Sequence, residues 1–292
     1  MMELVYISKW GGTLDLVRNP LFWLTNVDGM TAANTDISSI IIGGIDGDQI
    51  NNIQAQPRGM VFDLRIKTGV NVEAAKMSVL SVVKLKQPCT IQWTQNERTV
   101  NINGVVDSVV MPRFNNEVTM QISIHCEVPF WEDLTDVMSE ISDALPLQYF
   151  TNDPFDMLYF PIEGDGIPFG ELDTSRTRTF SNNGDVSVGM IIEIVAYGTV
   201  TNPIIYDQHG NFLGVGYGTK SLVMHEGDVL TINTRAGQKS ATLNGTTSLL
   251  DKIKPRSTWL QLEAGENTFS ADSDDGETDN MIFTLAYKQR YI

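Results

Sequence analysis

Gly227 to Ala271 reads GDVLTINTRAGQKSATLNGTTSLLDKIKPRSTWLQLEAGENTFSA, three strand patterns with their turns in close succession. Leu230 and Ile232 alternate with Thr231 and Asn233, and Ala241 and Leu243 alternate again beyond Arg235-Ala236-Gly237-Gln238, which is a hairpin around a glycine-containing turn. Glu226-Gly227-Asp228 and Asn244-Gly245 are turn chemistry, because Gly, Asn and Asp tolerate the positive φ of tight reversals. A third strand, Trp259 to Leu262, stops at Ala264-Gly265-Glu266-Asn267, and Thr268 to Ala271 starts the next. Short strands at this spacing mean a β-sandwich.

Upstream, strand patterns at Thr177–Phe180, Val188–Ala196, Ile204–Tyr206, Phe212–Val215 and Leu222–Met224, with Met281–Tyr287 near the end, extend the sandwich through the second half. The first half opens with strands at Leu4–Ile7 and Thr13–Val17 about a Gly11-Gly12 turn. Ile40-Ile41-Ile42, between Gly43-Gly44 and a polar stretch, reads as a loop held down by an apolar anchor. Arg58 to Lys67 places Met60, Phe62, Leu64 and Ile66 on one face, with Arg58, Asp63, Arg65 and Lys67 near or on the other. Val72, Ala75, Val79, Leu80 and Val83 fall at helical spacing behind Asn71, a suitable N-cap. Strand signals resume at Thr90–Thr94, Arg98–Asn103, Val105–Val110 and Glu117–Cys126, with Asn103-Gly104 read as a turn. Leu134, Val137, Met138, Ile141 and Leu145 are spaced for a short acidic helix. The expectation is a mainly β chain: a sandwich or barrel-like domain with one helix over 1–131, a linker over 132–156, and a second β-sandwich over 157–292.

The chain holds 36 acidic and 20 basic residues, a net charge of −16, which opposes binding to free nucleic acid or anionic membranes. The imbalance is concentrated: residues 1–131 carry 12 acids against 10 bases, whereas 132–292 carry 24 against 10. The two cysteines, Cys89 and Cys126, suit assembly in a reducing cytoplasm; a pair between them and two buried thiols are both open readings. Neither a signal peptide nor an apolar run of membrane-spanning length is legible.

Motifs for chemistry fail on spacing. Gly214-Val215-Gly216-Tyr217-Gly218-Thr219-Lys220-Ser221 has Thr219 where a phosphate loop needs glycine, and leads into a strand rather than a helix. Asp272, Asp274, Asp275, Glu277 and Asp279 miss the calcium-loop register and read as a solvated loop, with a surface calcium ion the alternative. His125, His209 and His225 are too scattered for a metal site, and neither cysteine has a partner motif for nucleophilic catalysis. No catalytic residue, cofactor or metal ligand is therefore assigned. Strict alternation points Trp259 outward, where it could stack on a sugar or anchor a partner; the competing reading tucks it under Ser257 and the Pro255 loop.

Gly227-Asp228 before Leu230-Thr231-Ile232-Asn233, then Ala241-Thr242-Leu243-Asn244-Gly245, then Leu260-Gln261-Leu262 closed by Gly265-Glu266-Asn267-Thr268, resemble the C-terminal domain of the phage distal tail protein (Dit) family of siphovirus-type tail components. In the first half, Met60–Ile66, the helix from Asn71, Asn101–Val106 and the ending Cys126-Glu127-Val128-Pro129-Phe130-Trp131 resemble that family's ring-forming domain. The resemblance implies a galectin-like second domain and a non-enzymatic virion protein of the tail tip, assembled in the host cytoplasm. It implies a hexameric ring whose first domains line a DNA channel and whose second domains lie outside. Its partners would be the tail tube protein, the tail-associated hub protein and receptor-binding or baseplate proteins, for host attachment. Because the half expected at the channel is nearly neutral, any repulsive lining must come from a few placed residues, with Asp46 and Asp48 the candidates. The rival reading is a carbohydrate-binding module that presents Trp259 to a host cell-wall glycan.

Overall fold

The computed structural model describes residues 2–44, 46–111, 118–138, 144–145, 171–172, 177–276 and 280–292. The chain divides into two units of mainly β structure, one of Met1–Asp136, Gly184–Val186 and Lys288–Ile292, the other of Val137–Asn183 and Ser187–Tyr287.

In the first unit the strands are β1 (Glu3–Ser8), β2 (Thr13–Asp15), β3 (Phe22–Asp28), β4 (Thr35–Ile40), β5 (Gln49–Ala55), β6 (Arg58–Ile66), β7 (Pro88–Gln95), β8 (Arg98–Val110), β9 (Thr119–Cys126) and β10 (Trp131–Asp133). An antiparallel sheet runs β2-β1-β7-β8-β9-β6-β3, with β10 between β8 and the strand Arg290–Tyr291. Strand β6 alternates as the sequence demands, and Met60, Phe62, Leu64 and Ile66 are buried. Arg58 shares their parity and is buried too, contrary to its expected polar face. Its guanidinium donates to the Gly29 carbonyl at 3.2 Å and lies 5.9 Å from the Trp131 ring centroid.

Asn103-Gly104 is not a turn. β8 is one strand of 13 residues, and a side chain at Gly104 would come within 2.6 Å of Ile124 and 3.0 Å of the Cys126 sulfur. Here glycine serves close approach inside a sheet rather than reversal. A register shift between Val106 and Ser108 then bends β8, which pairs with β7 before it and with β9 after it. Helix α1 (Val72–Val82) begins where expected: the Asn71 Oδ1 accepts from the Glu73 and Ala74 N–H groups, and Ala75 and Val79 face the core. Leu80 is exposed instead.

The second unit is a β-sandwich. One sheet orders Val137–Met138, Met281–Tyr287, Val188–Ala196, Val229–Asn233, Ser240–Leu243 and Thr247–Ser248, and Gln261–Leu262 pairs with the start of Val188–Ala196. The other orders Thr177–Asn182, Gly265–Asp272, Ile204–Tyr206 and Phe212–Gly214. The hairpin that opened the sequence reading forms with Leu230 opposite Leu243 and Ile232 opposite Ala241. Residues of both sheets, among them Met190, Ile192, Ile205, Phe269 and Phe283, share one core.

The acidic helix expected from Leu134 to Leu145 is replaced, in its described part, by the short strands Val137–Met138 and Ala144–Leu145. Ile141 lies outside the described residues. The Leu134 to Leu145 spacing fits a helix by period alone, whereas Val137–Met138 pairs with Met281–Tyr287 and Ala144–Leu145 with Glu171–Leu172, partners beyond the reach of a local pattern.

Candidate functional site

The largest departure from the sequence reading is the stretch around Ile40. Instead of a loop with a buried anchor, β4 and β5 form a two-stranded antiparallel hairpin, with Ile37 opposite Ile53, that is exposed at every position. Ile37, Ile40, Ile41, Ile42, Ile50 and Ile53 all face solvent, and Ile41 is 81% exposed. Asp46 and Asp48, the candidate channel residues, are exposed in the connection at the tip of this arm. Residues 35–55 include three aspartates, Asp36, Asp46 and Asp48, and no lysine or arginine.

A second exposed apolar surface lies where the β1–β2 turn meets the end of α1. Trp10 is 76% exposed, and its indole N–H donates to the Gln87 side chain at 3.1 Å. A side chain at Gly12 would touch Val82 of the helix at 3.5 Å. Met77 and Leu80 on the outer helix face, and Leu85 beyond its end, are exposed. The bases of this region are Lys9, Lys76, Lys84 and Lys86. Lys76 is 3.7 Å from Glu73, and the Lys9 ammonium stands 5.5 Å from the Trp10 ring centroid.

Trp259 is half-buried and packs against the sandwich core, with the Lys239 ammonium 5.4 Å from its ring centroid. His209 is 3.3 Å from the Glu263 carboxylate across a shallow surface dimple, His125 is exposed on β9, and the His225 N–H donates to Asp228. The three do not converge, and among the described residues no group of three or more His, Cys, Asp or Glu could hold a metal ion.

The Gly214–Ser221 segment ends in a single turn of 3-10 helix, and Lys220 donates to the Asp251 carbonyl at 2.9 Å, so its ammonium is committed within the fold. The acidic segment behaves differently from a free solvated loop. Asn202 donates to Asp274 at 2.8 Å, the Thr201 N–H donates to Asp275 at 2.8 Å, and Lys254 reaches Asp274 at 3.1 Å. Burial opposes ionisation of Asp274, but the Asn202 hydrogen bond and the Lys254 ammonium outweigh it and hold the carboxyl below its ordinary value. Glu277 and Asp279 lie outside the described residues.

Cys89 and Cys126 are free and buried on strands that flank β8, with Gly104 between them. Burial raises the Cys89 thiol to about 12 and the Cys126 thiol to about 11, the latter against the opposing pull of Arg58. Neither is a nucleophile at neutral pH.

The arm and the Trp10 surface escaped the sequence reading because their apolar residues belong to no buried face, so period and burial never coincide. The one available signal was an isoleucine-rich stretch free of basic residues.

Residues 183–291 match the family model described as siphovirus-type tail component, C-terminal domain. No curated protein sequence matches the chain. Among solved structures, the whole chain is similar to the Dit protein of phage SPP1, described as a paradigm of the hub adsorption apparatus in phages infecting Gram-positive hosts: TM-score 0.65, 12% identity, 99% of each chain covered. A chain of the phage P2 baseplate in its activated conformation with calcium gives a TM-score of 0.46 at 12% identity, over 99% of this chain and 98% of that one. The domain match bears out the resemblance read in the second half of the sequence, and the whole-chain likeness shows a shared fold.

Proposed function

We propose that this chain, whose residues 183–291 match the C-terminal domain of siphovirus-type tail components, is the distal tail protein of a phage, a hexameric ring at the end of the tail tube. Residues 1–131 form the ring and bound the channel through which DNA passes. Residues 132–156 connect them to the outer galectin-like domain, 157–292 less the closing strand Arg290–Tyr291 that pairs back into the first unit, and that domain carries receptor-binding or baseplate proteins. The tube protein docks on one side of the ring and the tail-associated hub protein on the other. The role is structural, with no bond made or broken.

The match over residues 183–291 carries this reading. The exposed arm supports self-association, since a two-stranded hairpin with neither side covered is marginal in water by itself. The rival carbohydrate reading gains no support from Trp259, which is half-buried beside Lys239. Native mass spectrometry of the purified chain tests the proposal: a species of about six times the 32.4 kDa protomer is expected under cyclic symmetry. A lone protomer at every concentration overturns it.

A further inference from the structure

We propose that the β4–β5 arm of one copy docks head to tail on the Trp10–α1 surface of the next, an assignment that rests on the ring reading and names the contact that closes it. The arm is uncovered at every position by its own chain, and its six described isoleucines are all exposed. Clustered exposed apolar side chains of this kind on a soluble chain mark an interaction site.

Charge selects the occupant. The arm holds three aspartates and no base, so two arms brought together would repel. The Trp10–α1 surface has the opposite sign. Among the described residues, no carboxylate stands within ion-pair distance of Lys9, Lys84 or Lys86. Trp10, tied by its N–H to Gln87 and otherwise open, has the character of an anchor: a large ring already oriented before the partner arrives. An acidic apolar arm and a basic apolar face, at different places on one unit, make a heterologous contact, and such contacts close into rings when the rotation permits. Asp46 and Asp48 thereby face the Lys84 and Lys86 side of a neighbour instead of the channel.

One double variant on each surface tests this. D46K/D48K reverses the arm, and K84E/K86E reverses the face; each is expected to raise the concentration for half-assembly by about tenfold or more, and the quadruple variant to recover most of that loss. Independently, Ile41→Cys with Leu85→Cys in one chain is expected to give, on mild oxidation, a ladder of covalent species beyond the dimer, because Cys89 and Cys126 are buried. Rings that assemble undisturbed by both reversals, or that yield no interchain disulfide, overturn the docking and leave the ring reading standing. A wild-type chain that never assembles overturns both.

Discussion

Removing the last strand's side-chain anchors should unfold the first unit selectively. Arg290 reaches Glu132 with both Nε, at 2.7 Å, and Nη2, at 2.6 Å, and both side chains are less than a third exposed. Tyr291 donates to Asp133 at 2.9 Å, and the Arg98 guanidinium carbon lies 3.5 Å from its ring centroid. Losing a hydrogen-bonded charge pair of this exposure costs about 1–3 kcal/mol. Removing the Tyr291 ring costs about 2–3 kcal/mol in burial and cation–π attraction. The two are strand neighbours and their effects overlap, so R290A/Y291A should destabilise by about 3–5 kcal/mol, a large share of the 5–15 kcal/mol typical of a domain. With a urea slope of about 1–3 kcal/mol/M, the midpoint falls by roughly 2 M. Tryptophan emission follows it well, because Trp10, Trp23, Trp93 and Trp131 belong to the first unit and Trp259 alone to the second. A midpoint shift below about 0.3 M urea, against that expected slope, would refute the reasoning. So would a loss confined to the sandwich signal.

Gly104→Ala should cost about 1–3 kcal/mol by the same urea assay, since the new methyl presses on Ile124 and the Cys126 sulfur. Cys89 and Cys126 should react with a thiol reagent only at the rate of unfolding, and prompt labelling of either in native protein would contradict their burial. Asn202→Ala should destabilise the second unit by about 2–4 kcal/mol, because it leaves the buried Leu222 N–H without its acceptor and removes the amide donor to Asp274; calorimetry would detect it. Burial, then Asp133, raises the Tyr291 hydroxyl to about 12. Its folded pKa exceeds the unfolded value, so the stability it contributes is complete below about pH 10 and is lost as pH rises toward 12. Y291F should flatten that part of the alkaline stability profile.

The sandwich was legible because its strands alternate strictly and are separated by Gly, Asn and Asp turns, as in Val188–Ala196 and the Val229–Leu243 hairpin. The helix was legible from its cap and its spacing. Three kinds of information were not. Asn103-Gly104 carries turn chemistry but is overruled by pairing on both sides of β8. Arg58 sits on a buried face because the Trp131 ring and the Gly29 carbonyl lie there, partners about 70 and 30 residues away in sequence, beyond any local window. The arm has no buried side at all, so the isoleucines that would ordinarily announce a core announce an unmet surface instead.

Strands Trp131–Asp133 and Arg290–Tyr291 lie side by side, antiparallel, in the same sheet. Apart from Gly184–Val186, the chain from Val137 to Tyr287 is thus a detour whose exit and re-entry are about one strand spacing, roughly 5 Å, apart. A foreign module with adjoining ends could be spliced there while the host sheet closes as before, which makes this point of the chain a natural socket for exchanging outer domains. Such a graft would lose the braces that Gly184–Val186 supplies to the first unit, among them the Asp185 N–H on the Arg290 carbonyl at 2.8 Å and the Asp185 carboxylate on the Ile292 N–H at 3.0 Å.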